Sequence, residues 1–408
     1  MSNKRDIFDK IFVIIFTLFM LIYFGHNNIF KNVLGFKLYL YQTFAILLTI
    51  ICFFKCIKEK KIIIVNKTYI IWLILFIMYC IFSIAWSIDS KYCYSAIIFM
   101  LFNFLIFFDL MIYCTDKEKI FNIMKIYILS ITYMCIRLIL FEKGKPGSMY
   151  YGNIVGLYFN NIALILSFGI AISILLYVNS QKSKRKLYIL LIVIFYYIIY
   201  LTGSRKGLLL PIAFYLFYYF INNKKNIKKD IKLILIIAVG LIFAYYVLKN
   251  NDRLNFRMME LFESFLGQKV SDLSVNERSF FRKTAIKLFL HNPLIGIGIN
   301  NFAAYMKQIS YSHVAYSHCN FTEILSNLGI CGFTLYYFIY FYIIKKAIVL
   351  LHNKKNKTVL YYSIILILIM LIFEYGFVSY YLFETQIQIF ICYLLVNVEE
   401  VKGVDYNE

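Results

Sequence analysis

The chain is poor in the residues that break, crosslink or metallate a fold, with three prolines, five histidines and two tryptophans in 408 residues. Charge is scarce too, at 16 %, against 62 % hydrophobic residues. With a mean hydropathy of +0.73, that balance excludes an ordinary soluble domain and describes a chain that crosses a membrane several times. The nine cysteines stand singly, mostly inside apolar runs (Cys52, Cys80, Cys114, Cys135, Cys392), with no CxxC pair. They read as small buried hydrophobes. There is no HExxH and no Asp-x-Asp, and His313 and His318 are five apart, off the spacing of one helical face. Metal independence is expected, with no cofactor. No repeat or low-complexity linker divides the chain, which reads as a single integral membrane domain over residues 1–408.

What the chain has in excess is positive charge, 43 Lys and Arg against 21 Asp and Glu, for a net +22. Part of the lysine surplus follows from a preference for Ile, Lys, Asn, Tyr and Phe over Ala, Arg, Gly and Pro, as AT-rich coding produces. The rest is topological. About twelve stretches are long and apolar enough to span a bilayer, centred near Phe16, Leu47, Phe76, Phe104, Ile131, Leu166, Val193, Phe214, Ile237, Tyr337, Leu366 and Ile389. The first is followed by no small-residue cleavage site, so it is expected to be a retained helix. Basic residues gather in alternate gaps, as at Lys4 and Arg5, Lys58 to Lys61, Lys182 to Lys186, Lys224 to Lys232 and Lys345 to Lys357. The positive-inside rule then puts these gaps and both termini in the cytoplasm. Split this way, the lysines form no contiguous patch for nucleic acid. The expectation is an all-α polytopic membrane protein.

Two basic segments fall on the opposite, external side. One is "TGSRKG", Thr202 to Gly207, between two apolar runs. Its glycines let an anion approach the backbone, and Arg205 and Lys206 stand just ahead of a helix N-terminus, which favours negative charge. The pair either holds a phosphate or snorkels to lipid headgroups.

The other is the large external loop, residues 250–319, which carries Arg253, Arg257, Arg278 and Arg282 among its cations. Within it, "SVNERSFFRKTAIKLFLHNP" opens on Ser274 and Glu277 in capping-box spacing and stops at Pro293. Arg278 and Arg282, four apart, share a face, with Phe281, Ala285, Ile286, Leu288 and Phe289 as apolar surface. The helix either presents its arginines to a ligand or is a plain amphipathic surface helix. Beyond it come Gly296 and Gly298 in a tight turn, then His318, ahead of Asn320 and, three on, Glu323. A histidine at a membrane mouth is either a general base or structural.

In this order and spacing, "TGSRKG", "NERSFFRKTAIKLFLHNPLIGIGINNF" and "SHCNFTEILSNLGICG" resemble three segments of the O-antigen polymerase and ligase family of bacterial envelopes, Wzy-like and WaaL-like proteins. They match its serine-arginine-glycine turn, its external-loop signature ending Asn-Pro-x-x-Gly-x-Gly, and its histidine-led approach to the next span. "GLYFNNIALIL", around Asn161, is similar to an earlier family segment. A lysine is interposed before Gly207, and His318-Cys319-Asn320 stands where the ligase branch has His-Asn.

The resemblance implies a GT-C-like membrane glycosyltransferase acting on oligosaccharide carried by polyprenyl pyrophosphate. It implies catalytic roles for His318 as base and for Arg278 and Arg205 on the leaving pyrophosphate. Substrate-binding roles fall to Arg282, Arg257, Lys206, Asn320, Glu323 and Asn161. The expected reaction is inverting polymerisation of repeat units into surface or capsular polysaccharide, beside a flippase and a chain-length regulator. AT-rich coding favours polymerase over ligase, because a lipopolysaccharide ligase needs an outer-membrane lipid core. The alternatives are such a ligase or a flippase for lipid-linked sugar. A transporter would concentrate charge and broken helices near the bilayer midplane.

Overall fold

In the computed structural model, residues 7–26, 37–60, 66–144, 151–204, 206–208, 210–212, 273–309, 315–352, 357–376, 378 and 380–398 are described. The expected spans around Phe214 and Ile237, and the candidates Arg205, Arg257 and His313, lie outside these residues. Every regular element among the described residues is helical: α1 Ile7–Gly25, α2 Lys37–Glu59, α3 Thr68–Phe82, α4 Ser90–Tyr113, α5 Lys117–Phe141, α6 Phe159–Val178, α7 Lys182–Thr202, α8 Leu273–His291, α9 Phe302–Gln308, α10 Asn320–His352, α11 Lys357–Glu374 and α12 Phe383–Asn397, with a 3₁₀ turn at Ser83–Trp86. Eight of them, α1 to α7 and α10, are long and apolar enough to cross a membrane. The chain is an all-α polytopic membrane protein.

Caps mark several boundaries. The Asp89 carboxylate accepts from Lys91 N at 2.9 Å to open α4, and Asp116 accepts from Lys119 N at 2.9 Å to open α5. Gly203, at φ 66°, closes α7 in the left-handed conformation that favours glycine. All fifteen residues of α12 are buried, which makes it the central helix of the bundle. Tyr69 of α3, Phe107 of α4 and Phe383 and Phe390 of α12 form one aromatic cluster in its core. The outer helices expose large apolar side chains, such as Phe53, Leu75, Leu190 and Val193. Such faces suit acyl chains rather than water.

The two ends differ in chemistry. At one, Lys55 and Lys119 both reach Asp9, each at 2.7 Å. Asn66, ahead of α3, donates there to Asn397 at 3.0 Å and Tyr342 at 3.1 Å. At the other, Tyr23 of α1 donates to Glu384 at 2.8 Å, and Trp86 donates to the Ile295 carbonyl at 3.1 Å. That second end carries residues 292–302 and the start of α10. Buried Asp109, which the sequence reading passed over, is in the last turn and a half of α4 and accepts from Thr49 at 2.8 Å.

Candidate functional site

The stretch Asn292 to Asn301 works as a backbone clamp. Helix α10 is interrupted at Gly329, at φ 63° and ψ −168°, which leaves backbone groups free on both sides of the break. The loop takes them up. Ile297 N donates to Ser326 O at 3.0 Å and Gly298 N to Asn327 O at 2.8 Å, while Ile330 N donates to Pro293 O at 2.8 Å. A Cβ on Gly296 would strike the Asn327 backbone, and one on Gly329 would strike that of Leu294, so the two glycine motifs interlock by lacking side chains. Asparagines complete the frame. Asn327 Oδ1 accepts from Phe302 N and Asn301 Oδ1 from Asp89 N, both at 2.7 Å.

Helix α8 rests on this frame. Phe281, Ala285 and Leu288 point inward and pack with Ile297, Phe302, Met306 and Ala315. That stripe fixes the roll of α8. The sequence reading placed Ile286 on the same apolar face, but it is exposed at 46 %, alongside exposed Phe280 and Leu290 on an outward face. Ser274 falls within α8, whose described range begins at Leu273.

On the fixed face Arg278 and Arg282 meet a loop of unusual shape. His318 has φ 55°, and its ring packs against Phe281 with centroids 5.8 Å apart. Glu323, 1 % exposed, holds that loop: Oε2 accepts from Ser317 N at 2.7 Å and Oε1 from Asn327 Nδ2 at 3.2 Å. Its carboxylate is committed to backbone and frame. Asn320, fully buried, accepts from Tyr380 N at 3.2 Å and ties the start of α10 to the segment before α12. Burial pushes His318 down to about 4, helped by the Arg278 and Arg282 charges and opposed by Glu277. The imidazole is therefore neutral at pH 7, with a nitrogen lone pair to offer.

A third strand of chain joins from "TGSRKG". Lys206 donates to the Tyr375 carbonyl at 2.8 Å, and its ammonium lies 5.1 Å from the Tyr375 ring centroid. The Arg282 guanidinium lies over the same ring at 5.6 Å. Burial pushes Lys206 down to about 8, with Arg278 and Arg282 pushing the same way and Cys319 opposing. Gly207 meets Ala163 of α6, and Ser167 donates to its carbonyl at 3.4 Å. This brings Asn161, two residues before Ala163, to the same end of the bundle. Asn161 is buried, and its Oδ1 has no hydrogen-bond partner among the described residues.

Four sequence candidates, His318, Arg278, Arg282 and Lys206, are thus drawn into one cluster from three separate segments. Glu323 and Asn320 support it from behind, and Asn161 stands apart. Tyr375 was not singled out, because one tyrosine among 37 carries no signal. Among the described residues no group of three His, Cys, Asp or Glu side chains converges. What converges is cationic, around one neutral base. That arrangement suits an anion with a reacting hydroxyl beside it.

Residues 189–337 match the family model Wzy_C, O-antigen ligase. No curated protein matches the chain. The matched span contains Lys206, Arg278, Arg282, His318, Asn320 and Glu323, while Asn161 and Tyr375 lie outside it. Over that span the chain is similar to the O-antigen ligase family, and its long apolar helices make it a multi-pass membrane protein.

Proposed function

We propose that the chain polymerises oligosaccharide repeat units carried on polyprenyl pyrophosphate, by metal-independent inverting transfer at the external face of the membrane. The observation that carries this is the neutral His318 beside Arg278, Arg282 and Lys206. In the reaction, His318 takes the proton of an acceptor sugar hydroxyl as its oxygen attacks the anomeric carbon of the donor. The carbon–oxygen bond to pyrophosphate breaks on the opposite face, so configuration inverts. Arg278, Arg282 and Lys206, with Arg205 and Arg257 as further candidates, take up the charge on the leaving pyrophosphate. Glu323 and Asn320 hold the loop that carries the base, and Asn161 offers an oxygen to sugar hydroxyls. Both termini are cytoplasmic in this reading, with residues 250–319 external. A flippase that supplies the lipid-linked unit and a chain-length regulator complete the set of partners.

Transfer of the finished glycan to a different acceptor lipid is the second reading, favoured by the similarity of residues 189–337 to the O-antigen ligase family. His318-Cys319-Asn320 in place of the ligase pattern favours polymerisation. Full-length protein in nanodiscs, given a single lipid-pyrophosphate repeat unit and no other acceptor, separates the two. A ladder of products supports the polymerase. Product that forms only when a second acceptor lipid is added identifies a ligase.

A further inference from the structure

Lys206 and Arg282 belong to chain segments 76 residues apart, by their positions in the sequence, and converge on one residue that neither motif contains. Tyr375 follows directly on α11. Its carbonyl accepts from Lys206 Nζ at 2.8 Å, and its ring carries that ammonium at 5.1 Å and the Arg282 guanidinium at 5.6 Å. Neither cation has a carboxylate within ion-pair distance among the described residues, whereas Lys55 and Lys119 at the opposite end both pair with Asp9. A carboxylate would hold these cations too, but it would neutralise the charge that a polyanion needs. An aromatic face attracts a cation through its quadrupole and leaves the net charge in place. Gly376 makes room for the arrangement: a Cβ there would lie 2.7 Å from Lys206 Nζ.

We infer that Tyr375, with Gly376 beside it, is the positioning element of the pyrophosphate site, holding Lys206 and Arg282 side by side with their charge unspent. Tyr375 touches no reacting atom in this role. The inference rests on the pyrophosphate reading of the site. A tyrosine at this depth also fits the aromatic belt of a membrane interface, where it would anchor the helix in lipid and nothing more. The two roles part company in binding.

The test measures binding of polyprenyl pyrophosphate to full-length protein in nanodiscs, from pH 6 to 10. Wild type is expected to bind and to weaken as pH rises through the region near 8 where Lys206 loses its proton. Tyr375→Ala is expected to bind about tenfold more weakly, and Tyr375→Phe, which keeps the ring, within about twofold of wild type. Gly376→Ala displaces only the flexible end of Lys206, so it is expected to weaken binding with the thermal midpoint unchanged. Wild-type binding matched by Tyr375→Ala, with the same pH profile, overturns the inference and leaves the belt role. Absence of binding to wild type overturns the pyrophosphate reading, and this inference with it.

Discussion

His318 is half-buried, and the two arginines near it disfavour its charged form. A histidine in water titrates near 6.5 and would be partly protonated in a mildly acidic envelope. Here the base form persists down to about 4. Lys206 sets the opposite boundary, charged below about 8 and neutral above it. For the free enzyme, kcat/KM should therefore be level between about 4 and about 8, falling at lower pH as His318 gains a proton and at higher pH as Lys206 loses one. Lys206→Arg should remove the alkaline limb, because a guanidinium stays charged throughout that range. A pH–rate profile on the lipid-linked substrate checks both limbs. An acid limb near 6.5 would mean that neither burial nor the arginines shift His318. Glu323→Ala should lower kcat more than it raises KM, since the carboxylate arranges the base and its oxygens are spent on Ser317 and Asn327. An unchanged kcat would show that the loop holds its shape without it.

Among the elements, the interrupted α10 is the most exacting. Gly329 sits in a region of backbone space that only glycine populates readily, with the Leu294 backbone against it. Gly329→Ala is expected to destabilise the folded protein by about 2 kcal/mol or more, seen as a lower thermal midpoint of detergent-purified protein. An unchanged midpoint would mean that the loop is not clamped on α10. Helix α8 shows how far sequence reading reaches. Phe281, Ala285 and Leu288 follow a helical period that is legible in one dimension, and Pro293 gives the stop. Ile286 was misassigned because the helix is apolar on two faces, one toward the frame and one outward. Periodicity alone does not separate them. The Asn-Pro-x-x-Gly-x-Gly motif was legible as a tight turn, but its pairing with Leu-Gly-x-x-Gly lies in backbone hydrogen bonds across the chain, to which residue identity gives no access. Tyr375 was invisible for the same reason, as its role comes entirely from what lies across from it.

At the scale of the whole molecule, charge is divided between two ends. The candidate site gathers cations at one, while at the other Asp9 serves both Lys55 and Lys119. Lys55 is 7 % exposed, so Asp9→Asn leaves a largely buried ammonium without its counter-charge. The expected cost is about 3 kcal/mol, read as reduced folded yield and a lower thermal midpoint. A double variant that also replaces Lys55 with Met should recover much of it. That the chain crosses a membrane several times was legible because lipid demands long apolar helices. Which helix is central was not legible, since α12 looks no more apolar than its neighbours.

The most direct measurement of the central claim is chain length of surface polysaccharide in cells whose only copy of the protein carries His318→Ala, Arg278→Ala or Arg205→Ala, with protein level followed by blot. The account predicts that each variant, present at normal abundance, leaves single repeat units where wild type makes long chains. Long chains at normal abundance would contradict it, and would turn the cationic cluster into part of a transporter or scaffold instead of an enzyme.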